Sequence, residues 1–261
     1  MIVDEMQNLV GKPAPEVYTH VINCLPEVKE VAVAHYAVPP PIQQRADLTL
    51  EEHQLVERAA KARKTSRLSF LEVLLELCAE AQHDVDGILD AVGYHQQHSV
   101  SRKWLSREDV LKGRLLRVCS NAPPAKPLAF LSRVKTGSSS SRHIPLLDLH
   151  VEKSSHSLGM VRSIAKRLLG EANIVLETTR SYHVVGVQLL TETQASQFLS
   201  KAILFSPITD HAYIAHQLLE GESALRITGR GNADDIPILV TACQSGPAST
   251  NATLRRPRSS M

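Results

Sequence analysis

Apolar positions follow a helical period in the first hundred residues of this chain and a mixture of periods afterwards. Thr49-Leu50-Glu51-Glu52 is a capping box, because a Glu at the third helical position reaches back to the cap. The helix it opens runs to about Lys64, with Leu50, Val56 and Ala60 among its apolar positions. Its basic end, Lys61, Arg63 and Lys64, suits the negative pole of the helix dipole. Ser69-Phe70-Leu71-Glu72 repeats the box, and Leu71, Leu74, Leu75 and Cys78 follow at helical spacing. Asp84 to Val92 is a third helical piece, ended by Gly93. Upstream, Val17 to Ile22 and Val28 to Val38 read as short helices, with room for a strand at Val31-Ala32-Val33, and Pro39-Pro40-Pro41 is a break. Short helices with a basic turn can form a helix-turn-helix, but no recognition-helix pattern accompanies them, and packed helices without DNA contact are commoner.

Trp104 to Lys112 reads as one more short helix, capped by Ser106. From Arg114 the period changes. Arg114 to Cys119 and Leu128 to Val134 read as strands joined by the turn Asn121-Ala122-Pro123-Pro124. Thr136-Gly137 and the serines after it form a flexible loop that leads into His143-Ile144-Pro145-Leu146-Leu147-Asp148-Leu149-His150-Val151, read as a strand. His156 to Gly170 is the clearest helix, with Leu158, Val161, Ile164, Ala165, Leu168 and Leu169 as one stripe and Gly170 as its cap. Ile174 to Thr179 and Ser181 to Val187 are strands, so strand, helix and strand make a crossover unit. Thr191-Glu192-Thr193-Gln194 starts a helix that stops near Ser206-Pro207, and Asp210 precedes another that ends at Gly221. Ala224 to Gly229 and Ile236 to Thr241 close the set of strands.

Composition narrows the class without naming it. A chain of 261 residues suits one large domain, or one domain with a helical extension. The net charge of +2 does not announce nucleic-acid binding, so any such surface has to be local. The four cysteines form no close pair, which argues against a zinc knuckle or a disulfide framework and fits a reducing cytoplasm. No apolar run is long enough to span a bilayer, and the acidic Met1 to Met6 stretch lacks the order of a signal peptide. The expected organisation is a helical region over 1–100, an α+β core over 101–243, and a basic disordered tail over 244–261.

Candidate chemistry concentrates in four places. In an extended Leu146 to His150, Asp148 and His150 share a face. An acid there is costly unless a metal, a basic partner or the mouth of a cleft receives it, although an edge-strand end in water looks the same. Arg180-Ser181-Tyr182-His183 follows, with Ser181 and His183 on one face, then Asp210, then Leu225-Arg226-Ile227. Each residue also has a purely structural use: His183 as a satisfied core imidazole, Asp210 as an N-cap, Arg226 as an ion-pair partner.

In that order, the four features resemble the catalytic core of the archaeo-eukaryotic primase superfamily, and residues 128–241 are most similar to its divergent primase 1D-like branch. That family carries an Asp-x-Asp strand, a Ser-x-His strand, a later single Asp and a nearby Leu-Arg strand. Asp148 matches the first acid, Ser181 and His183 match Ser-x-His, Asp210 the later acid, and Arg226 the basic residue after it. The resemblance implies an RRM-like, primase-type split sheet with flanking helices. It implies catalytic and metal roles for Asp148, His150 and Asp210, and substrate contacts from Arg180, Ser181, His183 and Arg226. Mg²⁺ or Mn²⁺ is the implied cofactor, since in-line transfer at phosphorus draws on hard cations held by oxygen ligands. An Arg fork and a protonatable His suit a triphosphate. The chain departs from the pattern at His150, which stands in place of the second acid, and at Thr178-Thr179-Arg180, where a glycine is usual.

The implied activity is a primase-polymerase-like nucleotidyltransferase acting on nucleic acid, with single-stranded DNA or RNA and a nucleoside triphosphate as partners. A catalytically silent nucleotide- or nucleic-acid-binding subunit, docked to other protein subunits through its N-terminal helices, is the alternative that His150 motivates. A metal-dependent nuclease using Asp148, His150 and His183 is a third. The expected location is cytoplasmic, with no membrane partner.

Overall fold

The computed structural model describes residues 6–35, 48–66, 68, 70–84, 86–88, 102–123, 126–137, 141–229 and 235–242. In chain order its elements are α1 (Ala14–Asn23), β1 (Val28–His35), α2 (Leu50–Ala62), α3 (Phe70–Glu80), β2 (Lys103–Ser106), α4 (Arg107–Leu111), α5 (Arg114–Ser120), β3 (Leu128–Thr136), β4 (Ser141–His143), β5 (Leu146–Asp148), α6 (Ser155–Leu169), β6 (Asn173–Glu177), β7 (Tyr182–Gly186), α7 (Glu192–Ile203), α8 (His211–Glu220), β8 (Ala224–Arg226) and β9 (Ile238–Ala242). Contacts divide the chain into one unit of residues 1–36 and 98–261 and another of residues 37–97.

The larger unit is α+β and holds two antiparallel sheets. One has the order β2-β1-β3-β4, with β8 also paired to β3; the other has the order β5-β7-β6-β9. Alternation along the strands assigns the faces. Val31 and Val33 of β1 and Leu128, Phe130 and Val134 of β3 share a core with Leu146, Ile174, Leu176, Val185 and Leu239 of the second sheet, so the sheets bury their facing sides together. Helix α1 enters the same core through Val17, Tyr18, Val21 and Ile22. The other face of the second sheet, with Leu147, Val175 and Val184, is covered by α6 and α7 through Val161, Ala165, Phe198 and Leu199.

Helix α6 has its stripe as expected, and a reciprocal box of Ser154 and Ser157 caps it. It connects β5 to β6. Both strands pair antiparallel with β7, so they run parallel to one another with β7 inserted between them. The hairpin β6-β7 is drawn close to the β4-β5 connection at Gly186, whose N–H donates to Pro145 O at 2.9 Å. A Cβ on Gly186 would meet Pro145 Cγ at 2.8 Å, which explains glycine there.

Three elements differ from their sequence expectation. Val28–His35 is one strand, central between β2 and β3, because β-branched Val28, Val31 and Val33 fill the core from a strand covered on both sides. Arg114–Ser120 is a helix instead of a strand: Gly113 turns the chain at φ 81°, and Leu115 is its one fully buried position. The segment read as a helix from Trp104 splits into β2 and α4 at Ser106, whose side chain accepts from Asp109 N–H at 3.1 Å.

In the smaller unit, α2 and α3 bury Leu55, Val56, Ala59, Val73, Leu74 and Cys78 together with Ile88. The Thr49 box is present in both directions: Glu52 N–H donates to Thr49 Oγ1 at 3.3 Å, and Thr49 N–H donates to Glu52 Oε2 at 2.6 Å. The Pro39 to Pro41 break, the Ser69 cap, the end of the third helix from 89 onward, and the tail over 244–261 lie outside the described residues.

Candidate active site

The run from His143 to Val151 is not one strand. Proline has no N–H to give a ladder, and the chain changes sheets beside it. His143 ends β4, and Ile144 N–H still donates to Ser132 O of β3 at 2.8 Å. One residue on, Pro145 O accepts from Gly186 of β7, and β5 begins at Leu146 in the second sheet. The strand stops at Asp148. Residues 148–150 then run beside 208–210: Leu149 bridges Thr209, His150 N–H donates to Ile208 O at 2.7 Å, and Asp210 N–H reaches Asp148 O at 3.4 Å.

Asp148 lies directly opposite His183 in the β5-β7 ladder. Its Oδ1 is 3.6 Å from His183 Nε2, an ion pair whenever the imidazole is protonated. The same oxygen accepts from Leu149 N–H at 2.9 Å. The Asp148 side chain is 34% exposed, whereas that of His183 is 7% exposed. One carboxylate is therefore turned toward solvent beside an imidazole fixed in the sheet. Asp210 sits next to this pair along the chain contact just described, and its Oδ1 accepts from Tyr213 N–H at 2.9 Å as the N-cap of α8.

Ser181 is buried and takes a local role: its Oγ accepts from Val151 N–H at 3.0 Å, which ties the segment after β5 to the β6-β7 turn. Arg180 is exposed at that turn. His150 is exposed as well, one residue past the bridge to Thr209. Arg226 is held elsewhere. Its guanidinium pairs with Asp235 Oδ1 at 3.1 Å and donates to the carbonyls of Thr228 and Asp235, at 2.6 and 2.5 Å. Thr179 Oγ1 also donates to Asp235 Oδ1, so this cluster joins β8 to the β6-β7 turn. The structure thus assembles Asp148, His183 and the backbone of Asp210, with Ser181 as a staple, and directs Arg226 to Asp235.

Two residues of this region are not among the candidates taken from the sequence. Asp235 is the carboxylate that Arg226 binds, and only its proximity in the fold reveals it. Tyr213 occupies the third position of the helix that Asp210 caps. Burial first, and then the negative charge of Asp148, hold its phenol well above the usual range, which places it beside the acid. Its position three residues after a capping Asp was the available clue.

Among the described residues, no three His, Cys, Asp or Glu side chains converge as a cation cage. The donor set nevertheless fits a hard cation of the Mg²⁺ type. Such ions commonly take one or two protein carboxylates and complete their shell with water and substrate phosphates. The partly exposed Asp148 offers one such carboxylate, while Asp210, joined to it through the main chain, has its Oδ1 engaged as a cap; a dedicated protein-only cage is not present among the described residues.

With the fold and site in view, the comparison with protein families is informative. The archaeo-eukaryotic primase 1D-like family model matches residues 106–235, from the cap of α4 to Asp235. This segment, about half the chain, belongs to that family and is a primase-like domain of nucleotidyltransferase type. It includes Asp148, Ser181, His183, Asp210 and Arg226. No curated protein and no solved structure matches the chain. No helix among the described residues is long and apolar enough to cross a membrane.

Proposed function

We propose that this protein is a primase-polymerase-like nucleotidyltransferase that joins nucleoside triphosphates on a single-stranded nucleic acid, with a divalent cation, Mg²⁺ or Mn²⁺, as cofactor. The observation that carries the reading is the Asp148-His183 pair, with Asp210 latched beside it, inside a primase-like domain.

In the reaction, the 3′-oxygen of the growing strand attacks the α-phosphorus, the bond from that phosphorus to the bridging oxygen breaks, and pyrophosphate leaves. A divalent cation supplies neutralisation of the phosphate charge when bound. Asp148 and Asp210 offer the carboxylates that would hold it, with His150 at the rim. His183, in its protonated form, donates to a phosphate oxygen from a fixed position, while Arg180 and Ser181 lie on the adjoining turn. Arg226 can reach a phosphate only by giving up Asp235.

A groove in the same unit supports a polyanionic partner. It encloses about 600 Å³ and is lined by Lys103, Arg114, Arg117 and His35, with no carboxylate among its described lining residues. A cluster of cations without acids favours a phosphate backbone independently of sequence.

The test is incorporation of labelled nucleotide on single-stranded DNA and RNA templates with Mg²⁺ or Mn²⁺. Wild type should exceed Asp148→Asn and His183→Ala; equal rates for all three would remove the enzymatic reading. A second reading, a chemically silent nucleic-acid-binding subunit, is favoured by the exposed His150 and by the use of Asp210 as a cap. In that case the N-terminal helices within the first hundred residues are the docking arm for other subunits, and salt-sensitive strand binding survives without turnover.

A further inference from the structure

A cavity of about 230 Å³, open to solvent at a rim that includes Ser196, lies between the end of β4, the start of β5, and helices α7 and α8. Its apolar walls include Leu146, Phe198, Leu199 and Leu218. Two polar side chains at its boundary are almost fully buried, His143 at 1% exposure and Glu222 at 4%. Each keeps one polar atom with no hydrogen-bond partner among the described residues, His143 Nε2 and Glu222 Oε2.

The surrounding bonds bear on what these two atoms offer. Ser132 Oγ accepts from Ser223 N–H at 2.8 Å and lies 3.1 Å from His143 Nδ1. With the Ser132 hydroxyl donating to Nδ1, the imidazole proton sits on Nε2, which is then a donor. Burial, followed by the charge of Arg133, lowers the His143 pKa to about 4, so the ring is neutral at physiological pH. Glu222 Oε1 is paired with Arg102, which balances the carboxylate and leaves Oε2 as an acceptor. The cavity thus presents His143 Nε2 and Glu222 Oε2 beside its apolar walls, with Gln217 and the Arg133-paired Glu192 also on its lining.

A water occupies about 30 Å³ in the liquid, so this space exceeds what one bridging water needs. It is smaller than the usual drug-sized site, which suits a one- or two-ring ligand. Amide and amidine edges of heterocycles place an acceptor beside a donor. We propose that the cavity binds the heterocycle of a nucleobase, which accepts from His143 Nε2–H and donates to Glu222 Oε2. The choice of nucleobases among heterocycles rests on the primase-like reading. Leu146, on the wall, and Asp148 share a face of β5 and are separated by roughly 7 Å along the strand. That span lies within one nucleotide, so a base seated here leaves its phosphates within reach of the Asp148-His183 pair.

The experiment is calorimetric or NMR titration of the full chain with adenosine, guanosine, cytidine and uridine in the presence of a chelator. The same titration is made on Ala195→Phe, which fills the cavity from its α7 wall, on Glu222→Gln, and on Asp148→Asn. At least one nucleoside should bind saturably to wild type. Ala195→Phe should weaken it tenfold or more, Glu222→Gln should weaken it or change the preferred base, and Asp148→Asn should leave it unchanged. Ala195 is only half-buried, and Ser196→Tyr, from the exposed rim, serves as a second block if Ala195→Phe does not fold. No saturable binding to wild type, the result expected of a merely hydrated cavity, overturns the proposal. So does undiminished binding by the folded blocking variants. Nucleoside binding without incorporation would leave the cavity assignment standing and remove the polymerase reading; incorporation without metal-free nucleoside binding would do the reverse.

Discussion

Asp148 and His183 face one another across the β5-β7 ladder, Oδ1 to Nε2 at 3.6 Å, with the acid partly in solvent and the imidazole buried. The strand register holds the ring beside the carboxylate, and in the proposed reaction the two would act as a unit. Asp148→Asn and His183→Ala should each slow nucleotide incorporation by roughly 100-fold. The double variant should be little worse than either single one, since groups acting together are not additive. Single-turnover incorporation assays on the three variants measure this; additive losses would mean independent roles.

Asp210 caps α8, and the chemical use it has in the proposed reaction can be separated from that role by substitution. Asparagine keeps the oxygen that accepts from Tyr213 N–H but removes the charge. Asp210→Asn should keep stability within a few tenths of a kcal/mol and lose activity as Asp148→Asn does, whereas Asp210→Ala should also cost about 1 kcal/mol as a lost cap. Urea unfolding beside the incorporation assay checks both. An active Asp210→Asn protein would reduce Asp210 to a cap.

Arg114 and Arg117 line the basic groove. If each neutralises one phosphate, Arg114→Ala and Arg117→Ala should each lower the slope of log affinity against log salt by about 1, with little change in sequence preference. Fluorescence anisotropy with single-stranded oligonucleotides at several salt concentrations gives the slope. An unchanged slope in both variants would place the strand elsewhere.

His143 makes the larger unit sensitive to acid. Its folded pKa of about 4 lies below the ordinary 6.5, because burial disfavours the cation. The unfolded chain therefore takes up a proton first as pH falls. The stabilisation is complete above about pH 6.5 and is lost between there and about 4, amounting to roughly 3 kcal/mol. Trp104, the single tryptophan, lies in this unit and reports its unfolding. His143→Gln should flatten the stability profile over that range; a wild-type slope in the variant would assign the effect to other groups.

Gly186→Ala should destabilise the larger unit by about 2 kcal/mol, because the added Cβ would overlap the Pro145 ring and force the β4-β5 connection from the β6-β7 hairpin. Urea midpoints followed through Trp104 test this, and an unchanged midpoint would show that the connection yields freely.

The parts of the fold that were legible in the sequence are those governed by local rules. The Thr49 and Thr191 boxes, the α6 stripe and the Asp210 cap each need only a few neighbouring residues, and all are present. The Arg114 segment was misread because its seven helical residues are too short to display a period, and its Leu, Val and Cys residues look equally at home in a strand. The run from His143 to Val151 was read as one strand because each half is extended. Its transfer between sheets depends on Ser132 and Gly186, which are distant in sequence from the proline that permits it. Asp148 and His183 were chosen from motif order, but their opposition is a matter of register, which only the sheet reveals. Likewise, Arg226 was legible as a charged strand residue, while its partner Asp235 was not.

The seam between residues 148–150 and 208–210 is made from amide and carbonyl groups: Asp210 N–H to Asp148 O, and His150 N–H to Ile208 O. Main-chain bonds of this kind do not depend on which side chains the residues carry. The alignment of the two segments can therefore persist through substitution at 148, 150 and 210, and evolution is free to exchange donor types there without dismantling the frame. A histidine at 150, where the resemblance implies an acid, is a change of chemistry that such a frame can absorb.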